Sequence, residues 1–206
     1  MKRYVIAITG ATGSAIGIRV IGELLKEAEV HLIVSSGSFF IIQSETGMDW
    51  NAADANKVQA KIRRHFSTRR LFYWEGHNMA APVSSGSFRT DGMLVVPCSM
   101  KTLSGIASGY ANTLVERAAD VTIKEGRMLL LSPREMPLSA IHLENMLKLA
   151  RIGVKIAPPV AGFYHNPQSL DDMVDFFAGK ILDAVGIQHT LFTRWESSAP
   201  GWKEDK

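Results

Sequence analysis

Alternation of strand-like and helix-like stretches constrains this chain most. "RYVIAIT" is a continuous apolar run, the pattern of a strand covered on both faces. Ile16, Val20, Ile21, Leu24 and Leu25 then recur at helical spacing and predict a helix over 16–26. The pattern repeats along the chain. "EVHLIVS", "RLFYW", "GMLVVPC", "GRMLLLS" and "GVKIAPP" read as further strands. Helices are predicted over 38–46, 55–66, 100–108, 113–125, 138–151 and 169–185. Residues 47–90 are the least regular part. Strands alternating with helices imply a parallel sheet with right-handed crossovers, so the expected class is α/β, three-layered and Rossmann-like.

The bulk numbers narrow the class further. The chain has 206 residues, 46% hydrophobic and 21% charged, which suits one domain with a full core. That domain is expected through residue 195, followed by a polar tail over 196–206. A net charge of +3 is too small to argue for a nucleic-acid partner. The one basic run, "KIRRHFSTRR", reads as a solvated helix face and loop ahead of an anion patch. A single cysteine, Cys98, excludes an internal disulfide framework and points to a reduced, cytoplasmic setting. The opening "MKRYVIAITGATG" is broken by Thr9 and Gly10 and reads as a buried strand, not a signal peptide. No apolar run approaches the ~20 residues needed to cross a bilayer, so no membrane partner is expected.

Ligands of such sheets bind outside the carboxyl ends of the strands, near a switch in strand order. Five stretches lie at those ends: 9–13, 35–36, 97–101, 132–135 and 158–164. In the first, Gly10, Gly13 and Gly17 follow a strand and open a helix. Glycine lets backbone approach an anion, and a helix start offers unpaired N–H groups. The turn reads as a dinucleotide site, a mononucleotide site or a plain tight turn. A dinucleotide site needs an acidic residue at the end of the second strand. Ser35 and Ser36 stand there instead, which puts a mononucleotide such as FMN ahead.

The other strand ends add candidates. Ser99 and Thr102 open another helix, with Lys101 beside them; the alternative is plain capping. Ser84, Ser85 and Ser87 lie in a glycine loop that also reads as a mobile surface loop. Arg134 and Glu135 lie between prolines directly after a strand. Arg134 suits a phosphate and Glu135 suits proton transfer if desolvated, against the reading of a surface pair. Tyr164, framed by Pro159 and Pro167, suits stacking or donation, or is a buried aromatic. Ser139 reads as an N-cap, Glu144 and His142 as helix residues, and Cys98 as buried packing. No H-E-x-x-H pattern or cysteine pair is present, so no metal site is indicated.

In order, the motifs "TGATGSAIG", "SETG", "SSGSFRTDGM", "PCSMKTLSGI", "ERAADVTIKEGR", "PREMPLSAIHLENML" and "GFYHNPQSLDDMVD" resemble those of the UbiX/Pad-type flavin prenyltransferases. The wording is similar to that of members encoded together with hydroxyarylic acid decarboxylases. The resemblance runs from Lys2 to about Trp195. It implies a homododecameric flavoprotein with FMN sites at subunit contacts. It implies transfer of a dimethylallyl group from dimethylallyl phosphate to N5 and C6 of reduced FMN, without metal. The prenylated FMN would pass to a UbiD-type decarboxylase. Matched motif by motif, Gly10, Ala11, Thr12, Ser35, Ser99, Met100, Lys101, Thr102 and Arg134 would bind FMN. Ser85, Arg117, Lys124, Tyr164 and Lys180 would bind the donor. Thr12, Glu45 and Glu135 would be catalytic, Thr12 standing where many members have Ser. The alternatives are a non-catalytic, flavin-carrying component of a hydroxyarylic acid decarboxylase and an FMN-dependent cysteine-type decarboxylase.

Overall fold

The structure, a computed structural model, describes residues 1–195; the expected polar tail at 196–206 lies outside them. Six parallel strands form one sheet: β1 (Lys2–Ile8), β2 (Ala28–Val34), β3 (Leu71–Glu75), β4 (Gly92–Cys98), β5 (Met128–Pro133) and β6 (Lys155–Ile156). Their order is β3-β2-β1-β4-β5-β6. The order reverses between β1 and β4, so a crevice opens at their carboxyl ends.

Among the described residues, seven α-helices cover the two faces: α1 (Ser14–Leu24), α2 (Ser38–Thr46), α3 (Ala55–His65), α4 (Met100–Ser108), α5 (Leu114–Lys124), α6 (Ala140–Arg151) and α7 (Leu170–Ala184). Alternation along β4 sets the layers. Leu94 and Val96 join the core that holds Val20 and Ile21 of α1 and Ile181 of α7. Met93 and Val95 join the opposite core with Ala118 of α5, Leu103 of α4 and Leu149 of α6. Burial on both faces matches the continuous apolar runs of β1 and β4.

The expected elements form, with informative shifts at their ends. Ser139 and Ser169 cap α6 and α7 through capping boxes, so each helix starts one residue after its serine. His142 completes the first box by accepting the Ser139 amide at 3.2 Å. The expected strand "GVKIAPP" shortens to Lys155–Ile156. Pro158 and Pro159 have no N–H to continue a ladder.

Two glycines of the opening turn have different duties. Gly13 is the N-cap of α1 with φ +103°, a left-handed conformation natural to glycine. Gly17 faces β4, where an added Cβ would overlap the carbonyl oxygen of Val96. Its expected part in anion approach is therefore corrected: Gly17 lets α1 pack on the sheet.

Candidate functional site

At the switch point, the ends of β1 and β4 are tied by one hydroxyl. Thr9 Oγ1 donates to the Pro97 carbonyl at 2.9 Å and accepts the Ser99 amide at 2.8 Å. This holds two strand-to-helix turns side by side. Ser99 caps α4, accepting the Thr102 amide at 3.3 Å and donating to Thr102 Oγ1 at 3.1 Å. Beyond β2, the Ser35 and Ser38 hydroxyls lie 2.7 Å apart, and Ser38 also donates to the Ile8 carbonyl.

These turns border a crevice of about 600 Å³ lined by Gly10, Ser35, Ser99, Lys101 and Thr102. Space beside the Gly10 Cα is open to 4 Å. Phe39, Tyr73, Val58 and Val115 supply apolar wall. The Phe39 and Tyr73 rings meet edge-on at 6.3 Å. Burial, with the Glu75 charge adding to it, pushes the Tyr73 phenol up to about 12, so it stays a neutral donor at physiological pH. Glu116 also lines the crevice, but its carboxylate accepts the Asn112 and Thr113 amides at 3.0 and 2.9 Å. Hydroxyls, one ammonium and aromatic wall around one crevice suit a phosphate-bearing planar ring. FMN fits this donor set.

The start of α1 departs from expectation. Its unpaired N–H groups were expected to face a ligand anion, but the Glu45 carboxylate takes them. Glu45 accepts the Gly13 amide at 3.1 Å and the Ser14 amide and hydroxyl at 2.9 and 2.5 Å. It also accepts the Thr12 hydroxyl. Burial raises its pKa, but these donors from Ser14, Thr12 and Gly13 together outweigh burial and hold it below the ordinary glutamate value. A depressed carboxylate stabilises the fold above its ordinary pKa, and that contribution is lost as pH falls through the folded value. The melting-midpoint gap between the wild-type protein and Glu45→Gln is therefore expected to narrow as pH drops from 7 towards 3. A constant gap would mean that the cradle does not prefer the anion.

The remaining residues fall into separate groups. The Arg134 amide donates to the Cys98 carbonyl at 3.3 Å, which sets its loop beside the Ser99 turn. Arg134 and Glu135 are both exposed, and no ion pair joins them. Cys98 is fully buried, and burial pushes its thiol far up, so it packs as a protonated side chain. Lys180 closes a groove of about 280 Å³ walled by Pro158, Pro159, Phe176 and Phe177. Tyr164 packs edge-on against Phe176 at 5.6 Å and Trp195 at 5.7 Å. Ser85, Arg117 and Lys124 gather elsewhere: Arg117 donates to the Ser84 carbonyl at 3.0 Å, and Lys124 lies against Gly86. Within one chain, α5 carries Arg117 and Lys124 on one sheet face, and α7 carries Lys180 on the other. One chain therefore does not bring the five donor residues together.

Phe39, Tyr73 and Glu116 were not legible as site residues. Phe39 and Tyr73 sit inside a helix and a strand with no motif around them, and Glu116 opens "ERAADVTIKEGR", where only Arg117 and Lys124 pointed to a ligand. Only their place on the wall of the crevice signals a role.

A family model described as Flavoprotein matches residues 1–190. Over 195 residues the chain is 45% identical to the flavin prenyltransferase UbiX of Alkalihalophilus pseudofirmus, covering 94% of this chain and 96% of that protein. The chain belongs to the UbiX-type flavin prenyltransferase family. Its fold is similar to that of a dodecameric FMN-dependent UbiX-like decarboxylase from Escherichia coli O157:H7, with a TM-score of 0.82 and 45% identity. That match covers 94% of this chain and 99% of the other. A second UbiX-type structure, AnUbiX (PadA1) in complex with FMN and dimethylallyl pyrophosphate, aligns with a TM-score of 0.83 and 43% identity over 98% of this chain and 99% of that one. Among the described residues, no helix is long and apolar enough to cross a membrane.

Proposed function

We propose that this chain joins a dimethylallyl group from dimethylallyl phosphate to N5 and C6 of reduced FMN. The observation that carries the reading is the pairing at the switch point. A crevice with the donors for a flavin phosphate opens at Gly10, and the same turn carries, at Thr12, a hydroxyl held by a carboxylate. FMN, when bound, supplies the nucleophile. Ser35, Ser99, Lys101 and Thr102 would hold it, with Met100 and the backbone of Gly10 and Ala11 alongside and Arg134 from the neighbouring loop. Thr12 and Glu45 form the proton-transfer pair: the carboxylate would take the Thr12 proton only as that hydroxyl takes up another, so the pair relays a proton.

The donor needs positive charge where its phosphate leaves. Arg117, Lys124 and Lys180 provide it, with Ser85 and Tyr164. Glu135 assists proton transfer at the leaving phosphate or the flavin. Because these groups lie on opposite faces of one chain, a complete donor site draws on more than one copy. That favours a homo-oligomer, a dodecamer as in the E. coli neighbour. The product would pass to a UbiD-type decarboxylase in the cytoplasm.

The test is to incubate purified protein with reduced FMN and dimethylallyl phosphate and weigh the flavin. A gain of one prenyl group is the expected result. Unchanged FMN, with a partner decarboxylase still activated, would replace the enzyme reading with that of a flavin carrier.

A further inference from the structure

The loop that carries Ser85 is held by arginines through its carbonyl oxygens. Arg117 Nε donates to Ser84 at 3.0 Å. Arg127 Nη2 donates to Gly86 at 2.6 Å, and its Nη1 to Phe88 at 2.9 Å. Arg3 Nη1 donates to Arg89 at 3.0 Å, and its guanidinium stacks over the Phe88 ring at 4.5 Å. Arg127 is half-buried and makes no ion pair among the described residues. Its fork is committed to the carbonyls of this one loop and to the Thr90 hydroxyl at 3.5 Å.

Peptide planarity gives the consequence. In a trans peptide the C=O and the following N–H point in opposite directions. With the Gly86 carbonyl turned to Arg127, the Ser87 N–H faces away from it. The Phe88 and Arg89 carbonyls likewise turn the Arg89 and Thr90 N–H groups away. No acceptor takes the Ser87 amide among the described residues. On the same loop the Ser85 and Ser87 hydroxyls lie 2.9 Å apart. The Glu125 carboxylate lies nearest Gly86, and the Lys124 ammonium paired with it sits beside the same glycine, 2.8 Å from where a Cβ would stand. An amide, two hydroxyls and an ammonium around one loop form an anion site, in which an incoming phosphate takes the place of the Glu125 carboxylate on Lys124.

We infer that Arg127 is a positioning residue, which turns the 84–90 loop so that the Ser87 amide and the Ser85 and Ser87 hydroxyls hold the donor's phosphate. This rests on the prenyltransferase reading only in naming the donor. Loss of the Arg127 fork frees the loop carbonyls and lets the Ser87 amide turn, and it removes no group that touches the phosphate.

The test uses the full chain loaded with oxidised FMN, so that no turnover occurs. Inorganic phosphate and dimethylallyl phosphate are titrated by calorimetry into wild type, Arg127→Gln and Arg127→Lys. Both variants are expected to bind phosphate about ten- to a hundredfold more weakly, the range of one hydrogen bond to a charged group. FMN fluorescence quenching and the melting transition report folding; if Arg127→Gln does not fold, Arg127→Lys decides, since it keeps charge and loses the fork. In turnover, KM for the donor should rise more than kcat falls. Wild-type phosphate affinity in the folded variants would overturn the inference, as would a fall in kcat with KM unchanged. A wild-type protein that binds phosphate but makes no prenylated flavin would sink the functional reading. Weakened binding in the variants would then still support the loop's role.

Discussion

Glu45→Gln is expected to slow prenyl transfer about 10²- to 10⁴-fold, the contribution of a positioned proton-transfer group. The substitution keeps the size of the side chain. It removes the charge that the Thr12 hydroxyl, the Gly13 amide and the Ser14 amide and hydroxyl converge upon. A glutamine oxygen can accept from some of these donors, but its NH₂ must face another donor. The crevice residues Ser35, Ser99, Lys101 and Thr102 are untouched, so FMN affinity should stay near that of wild type. Single-turnover mass measurements with saturating reduced FMN separate the two quantities. Wild-type turnover would remove Glu45 from the chemistry and leave it as a cap on α1. Equal loss of FMN binding and turnover would make it a cofactor-binding residue.

Gly17→Ala is expected to be the most damaging change of a single methyl group. Its Cβ would overlap the Val96 carbonyl oxygen, which is backbone in a central strand and cannot swing aside. Overpacking costs about 1–3 kcal/mol and more where backbone must move. The gain from alanine over glycine in a helix is about 1 kcal/mol and does not offset that. A net loss near 3 kcal/mol would lower the melting midpoint by roughly 10 °C for a domain of this size. Gly22→Ala in the same helix is the control. There the new Cβ meets only the Phe66 ring at 3.8 Å, an ordinary contact, and the midpoint should hold or rise. If the two variants melted alike, the close approach of α1 to β4 would not be what requires glycine at 17.

Much of this site was legible because the fold class predicts where ligands bind. Once strands alternate with helices, the carboxyl ends of the strands become the place to look. Ser35, Ser99, Lys101 and Thr102 were found that way, and the structure puts them on one crevice. Missing acidity after β2 was equally legible, because it needs only the identity of two residues. Tyr73 and Phe39 were hidden for the opposite reason. An aromatic within a strand or helix reads as core, and only the neighbouring elements decide whether one edge meets a crevice. Arg127 was hidden too. Its partners lie 39 and 41 residues away at Phe88 and Gly86, and backbone carbonyls leave no mark in a sequence.

The sequence by itself determined the layered α/β class, the glycine turn, the capped helices and the lack of a dinucleotide acid. Those properties are local: they depend on the period of apolar residues and on side chains within a few positions of the backbone they serve. Only the tertiary structure decided what fills the helix start that the turn creates. Glu45 lies 33 residues from Thr12 along the chain. The end of α2 must fold back over the start of α1 before its carboxylate can meet that positive end. The tertiary structure also decided that Arg117 and Lys124 lie across the sheet from Lys180. The sheet they flank is two-sided, and one chain cannot wrap both faces around a single phosphate.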